Sequence, residues 1–317
     1  MKKLFIIGNG FDLAHSLPTK YEDFRKYLVE KYPEATSDEV VVPYRIYLPD
    51  GGYKYDDTQV VSLLLCLIGI AEELGDEWND FEASLGKMEY SLCFDDLDDV
   101  YDRNGEINPR HTANNNEDRA AEINGALRLI ENYFSDWVNT IKITNAFGLR
   151  EIKNFKDLIN PDTDIFLTFN YTKTLEVLYE VKDVLHIHGT QNENDDLVFG
   201  HGNDDDIGEA LALHHFGAHN EIHELHRELR KPTEIVIDVI KFFFDRIISE
   251  NICSIYFFGF SFSEVDIPYV YEICRSIKNK PYVVCYLNEY DSPEERKRFS
   301  GILRKSGFKG DIRLYHI

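Results

Sequence analysis

The sequence has no hydrophobic run long enough to cross a membrane. Its longest apolar run, Val60 to Ala71, is much shorter than the roughly 20 residues that span a bilayer. The apolar stretch after Met1-Lys2-Lys3 is too short for a signal peptide, and no cleavage site of small residues follows it. We therefore expect a soluble, cytoplasmic protein that does not act at a membrane.

Paired cysteine motifs are missing as well. The five cysteines are an odd number and include no Cys-x-x-Cys pair. Cys253 and Cys285 lie in apolar, strand-like runs, where a free cysteine acts as a small hydrophobic residue. We expect the thiols to be reduced, which agrees with a cytoplasmic location.

Basic residues are too few to balance the acidic ones. The chain has 34 Lys and Arg residues against 57 Asp and Glu residues, a formal net charge of −23. Such an acidic surface repels phosphate backbones and anionic lipids, which argues against direct binding of nucleic acid or membranes. An anionic ligand would have to be bound locally, by backbone amides that point at it.

The chain does contain enough apolar material for a packed core, with 43% hydrophobic and 13% aromatic residues among 317. Several segments have the continuous β-branched and aromatic composition of strands buried on both faces. These are Lys3–Gly8, Asp164–Phe169, Val184–His188, Ile252–Phe258 and Pro281–Leu287, with Ile312–Ile317 expected to close one edge. Helical patterns alternate with them at Thr172–Val181, Val265–Ile277 and Ser292–Leu303. The alternation predicts an α/β fold with a Rossmann-like, doubly wound parallel sheet.

Two stretches do not fit the alternation, and the second of them, Gly200–Glu250, has a polar start and then two helical patterns that flank Pro232. Residues 53–149 contain helical patterns but no strand beyond the first residues of the stretch. The predicted helices are Gln59–Leu74, Glu77–Tyr90 and Glu117–Thr140. We therefore predict an α/β domain formed by residues 1–52 and 150–317, with a mainly helical insert over residues 53–149.

The first predicted strand ends in a Gly-x-Gly turn, Gly8-Asn9-Gly10. Glycines at this place let a ligand approach the backbone and expose amides at the start of a helix, as in pyrophosphate sites. Leu13 stands where the third glycine of the dinucleotide fingerprint would be, so an ordinary tight turn is the alternative. Asp12 is expected to orient a turn amide or to contact a ribose hydroxyl.

An asparagine and a histidine follow the next two predicted strands. Asn170 and His188 each come at the carboxyl end of a strand, the edge at which open α/β sheets bind ligands. The two-residue period of a strand predicts that His186 and His188 share one face. The alternatives are a helix cap for Asn170 and, for His188, a buried histidine bound to a carbonyl. Their position beside the glycine turn favours a site.

A turn after a later strand adds two candidates. The hydroxyl of Ser261 is a possible ligand contact near a phosphate, whereas Asp266 is better explained as an acidic residue favoured by a helix dipole.

These motifs together resemble those of sirtuins. Gly8 to Pro18 looks like the sirtuin NAD-binding opening, and Thr168-Phe169-Asn170-Tyr171 is similar to the Thr-Gln-Asn-Ile/Val motif. Leu185 to Gly189 resembles the strand that ends in the catalytic His-Gly. Gly259-Phe260-Ser261 resembles the later Gly-Thr-Ser turn, and Asn288 resembles the asparagine that contacts the adenosine ribose.

The sequences of the motifs are closer still to one bacterial family, AbiH. Gly8 to His15, Phe169 to Thr172, His186 to Gly189 and Gly259 to Asp266 look like the motifs of that family. It is associated with abortive infection against bacteriophage and is a divergent relative of sirtuin-like, NAD-consuming defence effectors. The resemblance implies that catalysis uses Asn170 and His188. It also implies nucleotide contacts by Gly8, Asn9, Gly10, Asp12, Ser261 and Asn288.

The chain departs from sirtuins in one respect. Sirtuin deacylases carry a four-cysteine zinc site after the His-Gly, and no such cysteines follow Gly189. The resemblance then implies an NAD glycohydrolase that needs no metal and takes NAD as its substrate. We also expect a homo-oligomer and activation by a phage-derived trigger, since a constitutive NAD hydrolase would poison its own cell.

Two other functions stay open. A non-catalytic sensor that binds NAD or ADP-ribose and acts on a partner would need the same residues. A metal-dependent nuclease would use the histidine-rich segment from His214 to His226, in which His215, His219 and His223 recur every four residues. The simpler explanation of that segment is a solvated or interdomain helix face. His201, between two glycines, is a further candidate that a flexible loop could bring to the ligand.

Overall fold

The computed structural model describes residues 2–73, 81–144, 149–193, 197–205 and 207–317. Its backbone contacts divide the chain into two compact units. The sheet unit consists of Met1–Lys20, Val138–Val198 and Pro232–Ile317, and the helical unit of Tyr21–Trp137 and Phe199–Lys231. The helical unit thus starts earlier than the predicted insert, residues 53–149, and also includes Phe199–Lys231, which we predicted to belong to the α/β domain.

The sheet unit is built on six parallel strands. They are β1 (Lys2–Ile7), β4 (Ile165–Thr168), β5 (Val184–His186), β6 (Ile252–Phe258), β7 (Val284–Asn288) and β8 (Ile312–Tyr315). Their order across the sheet is β5-β4-β1-β6-β7-β8, and every neighbouring pair is parallel. Counting only these six in chain order gives 3-2-1-4-5-6, the order of doubly wound dinucleotide-binding sheets. The predicted α/β fold, with the last strand at one edge, is confirmed.

Helices cover both faces of this sheet. They are α1 (Asn9–Ala14), α7 (Lys153–Leu158), α8 (Thr174–Tyr179), α11 (Thr233–Val239), α12 (Lys241–Ser249), α13 (Ile267–Ser276) and α14 (Pro293–Lys305). In β1, Leu4 and Ile6 join a core with residues of α12, α13 and α14, whereas Phe5 and Ile7 join a core with α1, α7 and α8. All four side chains are fully buried, which explains the continuous apolar composition of the strand.

The helical unit contains the remaining elements. They are α2 (Tyr21–Lys31), the hairpin of β2 (Ile46–Tyr47) and β3 (Tyr53–Lys54), α3 (Asp57–Glu73), α4 (Phe81–Leu85), α5 (Pro109–Leu127), α6 (Ile130–Thr140), α9 (Ile207–Ala212) and α10 (His219–Glu228). The division between the units falls within α6. The predicted helix Glu117–Thr140 is two helices, because α5 ends at a cap at Arg128. The first residues of predicted helix Glu77–Tyr90, 77–80, lie outside the described residues.

The second segment belongs to the helical unit because of its packing. Helix α10 packs against α5 and α9, and its Ile222 and Leu225 are fully buried. Within the described ranges, no helix has both the length and the hydrophobicity to cross a membrane.

Candidate functional site

The candidate residues of the sheet unit lie at the carboxyl ends of its strands. Gly8 follows β1, Asn170 follows β4 after one residue, and His188 follows β5 after one residue. Ser261 comes after β6, and Asn288 is the last residue of β7. Because all six strands are parallel, these residues belong to one edge of the sheet, the edge at which such sheets bind ligands.

The glycine turn is packed directly against the turn that follows β6. The Gly8 N–H donates to the Phe258 carbonyl at 3.0 Å, and the Gly10 N–H donates to the Gly259 carbonyl at 2.9 Å. A Cβ atom on Gly10 would lie 2.6 Å from the Gly259 Cα, and Gly259 has a φ of +64°. The close contact between the two backbones therefore requires glycine at both Gly10 and Gly259. The amides of Gly8 and Gly10 are used inside the protein, contrary to our expectation that they point at a ligand.

Asp12 is buried behind this turn. It is 1% exposed, and its two carboxylate oxygens accept hydrogen bonds from the hydroxyls of Thr172, at 2.5 Å, and Thr174, at 2.8 Å. Burial raises the pKa of Asp12 to about 6, while the two hydroxyls and the Asn170 amide oppose the rise. Asp12 thus ties α1 to the segment that carries Asn170, and contact with a ribose stays a prediction.

Asn170 is held by its backbone while its side chain is left unsatisfied. Its N–H donates to the Thr168 hydroxyl at 3.1 Å, and its carbonyl oxygen lies 3.0 Å from Nδ1 of His186. The side chain is 6% exposed, yet within the described residues neither Oδ1 nor Nδ2 makes a hydrogen bond of normal length and angle. A buried amide left unpaired costs about 1–3 kcal/mol. Such a group at a ligand-binding edge indicates a site that a ligand completes.

His186 belongs to the support of Asn170. Besides the Asn170 carbonyl, it contacts Glu176 of α8, with Nε2 2.7 Å from Oε1. Both ring nitrogens thus face oxygen atoms, the Asn170 carbonyl and the Glu176 carboxylate. His186 therefore fixes the backbone of Asn170 from the α8 side of the sheet.

His188 lies elsewhere, so our prediction that it shares a face with His186 is wrong. Strand β5 ends at His186, and the two-residue alternation does not continue into the following turn. The His188 ring is 2% exposed and packs edge-on against Phe169, at 5.3 Å between ring centroids, and Tyr269, at 5.9 Å. Because Phe169 directly precedes Asn170, the two predicted catalytic residues are brought to one part of the edge.

A carboxylate faces His188. Oδ1 of Asp266 lies 3.9 Å from Nε2 of His188, and Oδ2 of Asp266 accepts a hydrogen bond from the Ser263 hydroxyl at 3.1 Å. Asp266 is itself 8% exposed. A buried carboxylate at this distance stabilises a positive charge on the imidazole. The sequence suggested that Asp266 is an acidic residue favoured by a helix dipole, and this explanation does not include its contact with His188.

Ser261 and Asn288 are fixed by local contacts. The carbonyls of Ser261 and Phe262 accept hydrogen bonds from the Arg298 guanidinium, at 2.6 and 3.1 Å, which leaves Ser261 on an exposed turn. The Asn288 Oδ1 accepts the N–H of Tyr290 at 3.1 Å and so forms the turn that ends β7. Their contacts with a nucleotide stay predictions, as does that of Asn9, whose amide donates to the Thr19 carbonyl at 2.8 Å.

The sequence of this chain also matches the model of a known protein family. Residues 4–287 match the model of a family described as bacteriophage abortive infection AbiH. The chain belongs to the AbiH family. Searches of curated proteins and of solved structures gave no match. Membership of the AbiH family points to a role in abortive infection against phage.

The histidine-rich segment of this AbiH-family chain does not form the single helix face that we expected. Helix α10 begins at His219, so His215 precedes it and stacks on Phe94, with 4.7 Å between ring centroids. His219 and His223 lie one turn apart, at 6.0 Å. Within the residues that the structure describes, no three His, Cys, Asp or Glu side chains form a group that could hold a metal ion.

His201 is a packing residue in the helical unit. It is 1% exposed, its Nε2 lies 2.9 Å from the His226 carbonyl, and its Nδ1 accepts the N–H of Asn203 at 3.1 Å. The backbone of His201 is also bridged to Arg230. The expectation that a flexible loop brings His201 to a ligand is therefore wrong.

Sequence reasoning missed two groups that shape the site in this AbiH-family chain, Thr172 and Thr174, which bind Asp12. It named Asp266 but did not predict that this residue faces His188. A signal was present for Asp266, because it closes the motif Gly-Phe-Ser-Phe-Ser-Glu-Val-Asp, but its partner is distant in sequence. The two threonines form no pattern by which they could be distinguished from helix-capping residues.

Proposed function

We propose that this protein is the effector of an abortive-infection response and that it hydrolyses NAD to nicotinamide and ADP-ribose. The proposal rests mainly on one observation, the buried and unsatisfied amide of Asn170 at the carboxyl edge of a 3-2-1-4-5-6 sheet. The resemblance of the motifs to those of sirtuin-like NAD-consuming effectors supports it.

A ribose fits the Asn170 amide. Each ribose hydroxyl is both a donor and an acceptor, so two neighbouring hydroxyls satisfy the Oδ1 and the Nδ2 together. Without a ligand, the unpaired Asn170 amide costs about 1–3 kcal/mol. A bound ribose removes this cost, which strengthens binding. Asp12, Thr172 and Thr174 would hold Asn170 in place for this contact.

The pyrophosphate requires different groups from those of a standard glycine-rich turn. Gly8 and Gly10 already donate their N–H groups to backbone carbonyls. Asn9 and Ser261 are exposed on the two turns that these glycines bring together, and we assign the pyrophosphate contact to them. This contact is local and needs no positively charged surface, in agreement with a net charge of −23.

In the reaction, the bond between C1′ of the ribose and the nicotinamide nitrogen breaks, and its electron pair leaves with neutral nicotinamide. A water oxygen forms the new bond to C1′ and gives up one proton. The His188 imidazole accepts this proton as general base, and Asp266, 3.9 Å away, stabilises the charge that the ring gains. Transfer of the proton to solvent restores His188, so NAD and water give nicotinamide, ADP-ribose and a proton.

The test is release of nicotinamide from NAD by the purified protein, with and without an extract of phage-infected cells, beside NAD binding by calorimetry. We expect release by the wild type and none by His188→Ala. His111→Ala, which removes an exposed histidine at the start of α5, is the matched control and should keep full activity. Binding of NAD with no release under either condition would instead establish a sensor. Absence of binding would contradict both functions.

A further inference from the structure

The side chain of Gln191 in the sheet unit is buried with one of its polar atoms unused. Gln191 is 4% exposed, and its Nε2 donates a hydrogen bond to the Ile141 carbonyl at 2.8 Å. Because only the nitrogen of the amide can donate to a carbonyl, this bond fixes the oxygen on the other side. Among the residues that the structure describes, Oε1 has no hydrogen-bond donor. A buried acceptor of this kind is a group that a ligand can complete.

The backbone places Gln191 beside the candidate site. Its N–H donates at 2.8 Å to the carbonyl of Tyr171, the residue that follows Asn170. Gln191 also comes three residues after His188. The segment after β5 that carries His188 and Gln191 is therefore bonded to the segment after β4 that carries Asn170.

The strand order gives Gln191 a place along a dinucleotide. In the proposed function, on which this inference rests, the pyrophosphate lies at the turns after β6 and β1, and the ribose lies at Asn170 after β4. The next strand in the same direction is β5, the last strand of the sheet on this side. Neighbouring strands are about 4.8 Å apart, close to the width of one sugar ring. The nicotinamide, which is bonded to this ribose, therefore reaches the segment that carries Gln191.

We infer that Gln191 recognises the carboxamide of nicotinamide and so limits the substrate to dinucleotides that carry an amide on the pyridine ring. The carboxamide nitrogen has two hydrogens, and one of them is donated to Oε1 of Gln191. A dinucleotide of nicotinic acid has a carboxylate at this place, which offers no hydrogen and brings a negative charge. It would leave Oε1 unpaired and place oxygen against oxygen, so the site rejects it.

The charges beside Gln191 also suit a neutral amide. Lys173 is the basic residue closest along the chain to the bond between Gln191 and Tyr171, and its Nζ lies 2.5 Å from Oε1 of Glu193. The positive charge of Lys173 is thus paired with a carboxylate of the protein and does not attract a carboxylate of the ligand.

The test compares two neutral dinucleotides, NAD and 3-acetylpyridine adenine dinucleotide, in which a methyl ketone replaces the carboxamide. The ketone keeps the carbonyl and lacks only the N–H groups. We expect the ratio of kcat/KM for NAD to that for the ketone to fall by about tenfold or more in Gln191→Leu relative to the wild type. The difference in reactivity between the two substrates cancels in this comparison. Gln59→Leu, at an exposed position of α3, is the matched control and should keep the wild-type ratio.

The outcomes separate recognition from a structural role. If Gln191→Leu lowers kcat/KM for both substrates equally, Gln191 only supports the fold and the inference is overturned, while the proposed function stands. Hydrolysis of nicotinic acid adenine dinucleotide by the wild type as fast as that of NAD would also overturn it. If NAD is bound but not cleaved, the ratio of dissociation constants measured by calorimetry replaces the ratio of kcat/KM, with the same expectation. Absence of NAD binding by the wild type would overturn the proposed function and this inference together.

Discussion

The two units of the molecule each bury a histidine, and the two histidines have opposite surroundings. In the helical unit, His201 uses both ring nitrogens in hydrogen bonds to backbone groups, and burial lowers its pKa to about 4. In the sheet unit, Nε2 of His188 faces the carboxylate of Asp266. The first arrangement stabilises a neutral ring and the second a charged one. A carboxylate that faces a histidine at the end of a parallel strand is therefore a better indication of a catalytic site than the number of histidines nearby.

Two buried asparagines show the same contrast. Asn124 of the helical unit is 4% exposed, donates to the Glu221 carboxylate at 2.8 Å and accepts from Arg128 at 2.7 Å. Asn170 of the sheet unit is buried to a similar degree, but its amide is unsatisfied within the described residues. Asn124 therefore serves stability, whereas the Asn170 amide makes no hydrogen bond of normal length and angle within the described residues and interacts only weakly with Asp12.

The largest expected effect is the difference in catalytic activity between variants of His188 and of His201. His188→Ala should lower the rate of nicotinamide release by about 100-fold or more, the usual contribution of a general base. His201→Ala should leave the rate per folded molecule unchanged, although it loses two hydrogen bonds. Initial rates, normalised to the folded fraction seen by circular dichroism, check both. Equal losses in the two variants would remove the distinction between them.

The next largest effect is a difference in how stability depends on pH, between Asp12 of the sheet unit and His201 of the helical unit. The folded-state pKa of Asp12 is raised from 3.8 to about 6, so its contribution to stability is complete below pH 3.8 and is lost as the pH rises through 6. The difference between a pKa of 3.8 and one of about 6 corresponds to roughly 3 kcal/mol for Asp12. The free energy of unfolding of the wild type, relative to Asp12→Asn, should fall by about this amount between pH 4 and pH 7.

His201 should show the opposite sign. Its folded-state pKa is lowered from 6.5 to about 4, so its contribution is complete above pH 6.5 and is lost as the pH falls through 4. Urea unfolding of wild type, Asp12→Asn and His201→Gln at several pH values measures both slopes. A pH-independent difference between wild type and Asp12→Asn would show that the carboxyl is not buried as described.

The smallest effect concerns the asparagines. Asn124→Ala should lower the free energy of unfolding by about 2 kcal/mol, because it removes the hydrogen bonds that Glu221 and Arg128 make to the Asn124 amide. Asn170→Ala should change it by less than about 0.5 kcal/mol, since the amide loses no hydrogen bond of normal length and angle and only its weak interaction with Asp12. Chemical denaturation of the two variants gives the values. A loss at Asn170 as large as that at Asn124 would reveal a structural role for its amide.

The sequence was sufficient to predict the sheet, because its signal is local. The continuous run Leu4-Phe5-Ile6-Ile7 can be buried on two faces only in a strand covered on both sides, and the structure confirms this. The unit boundaries were harder to predict. An amphipathic helix such as α10 shows that one face is buried, but its periodicity is the same whichever unit it packs against.

At the site, the positions were predictable and the contacts were not. A residue after a parallel strand belongs to the ligand-binding edge, which located Asn170 and His188. The pairing of His188 with Asp266 depends on how β5 ends and on where the turn after β6 leads. The use of the Gly8 and Gly10 amides depends on the opposing turn at Gly259, which is distant in sequence.

The central claim is that Asn170 and His188 act together in the hydrolysis of NAD during phage defence. It is tested most directly by following cellular NAD after phage challenge in cells that carry the wild type or His188→Ala at equal protein levels. We predict that NAD falls and phage growth is restricted with the wild type, and that His188→Ala keeps NAD high and loses protection. If both strains restrict the phage equally while NAD stays constant, the claim is wrong.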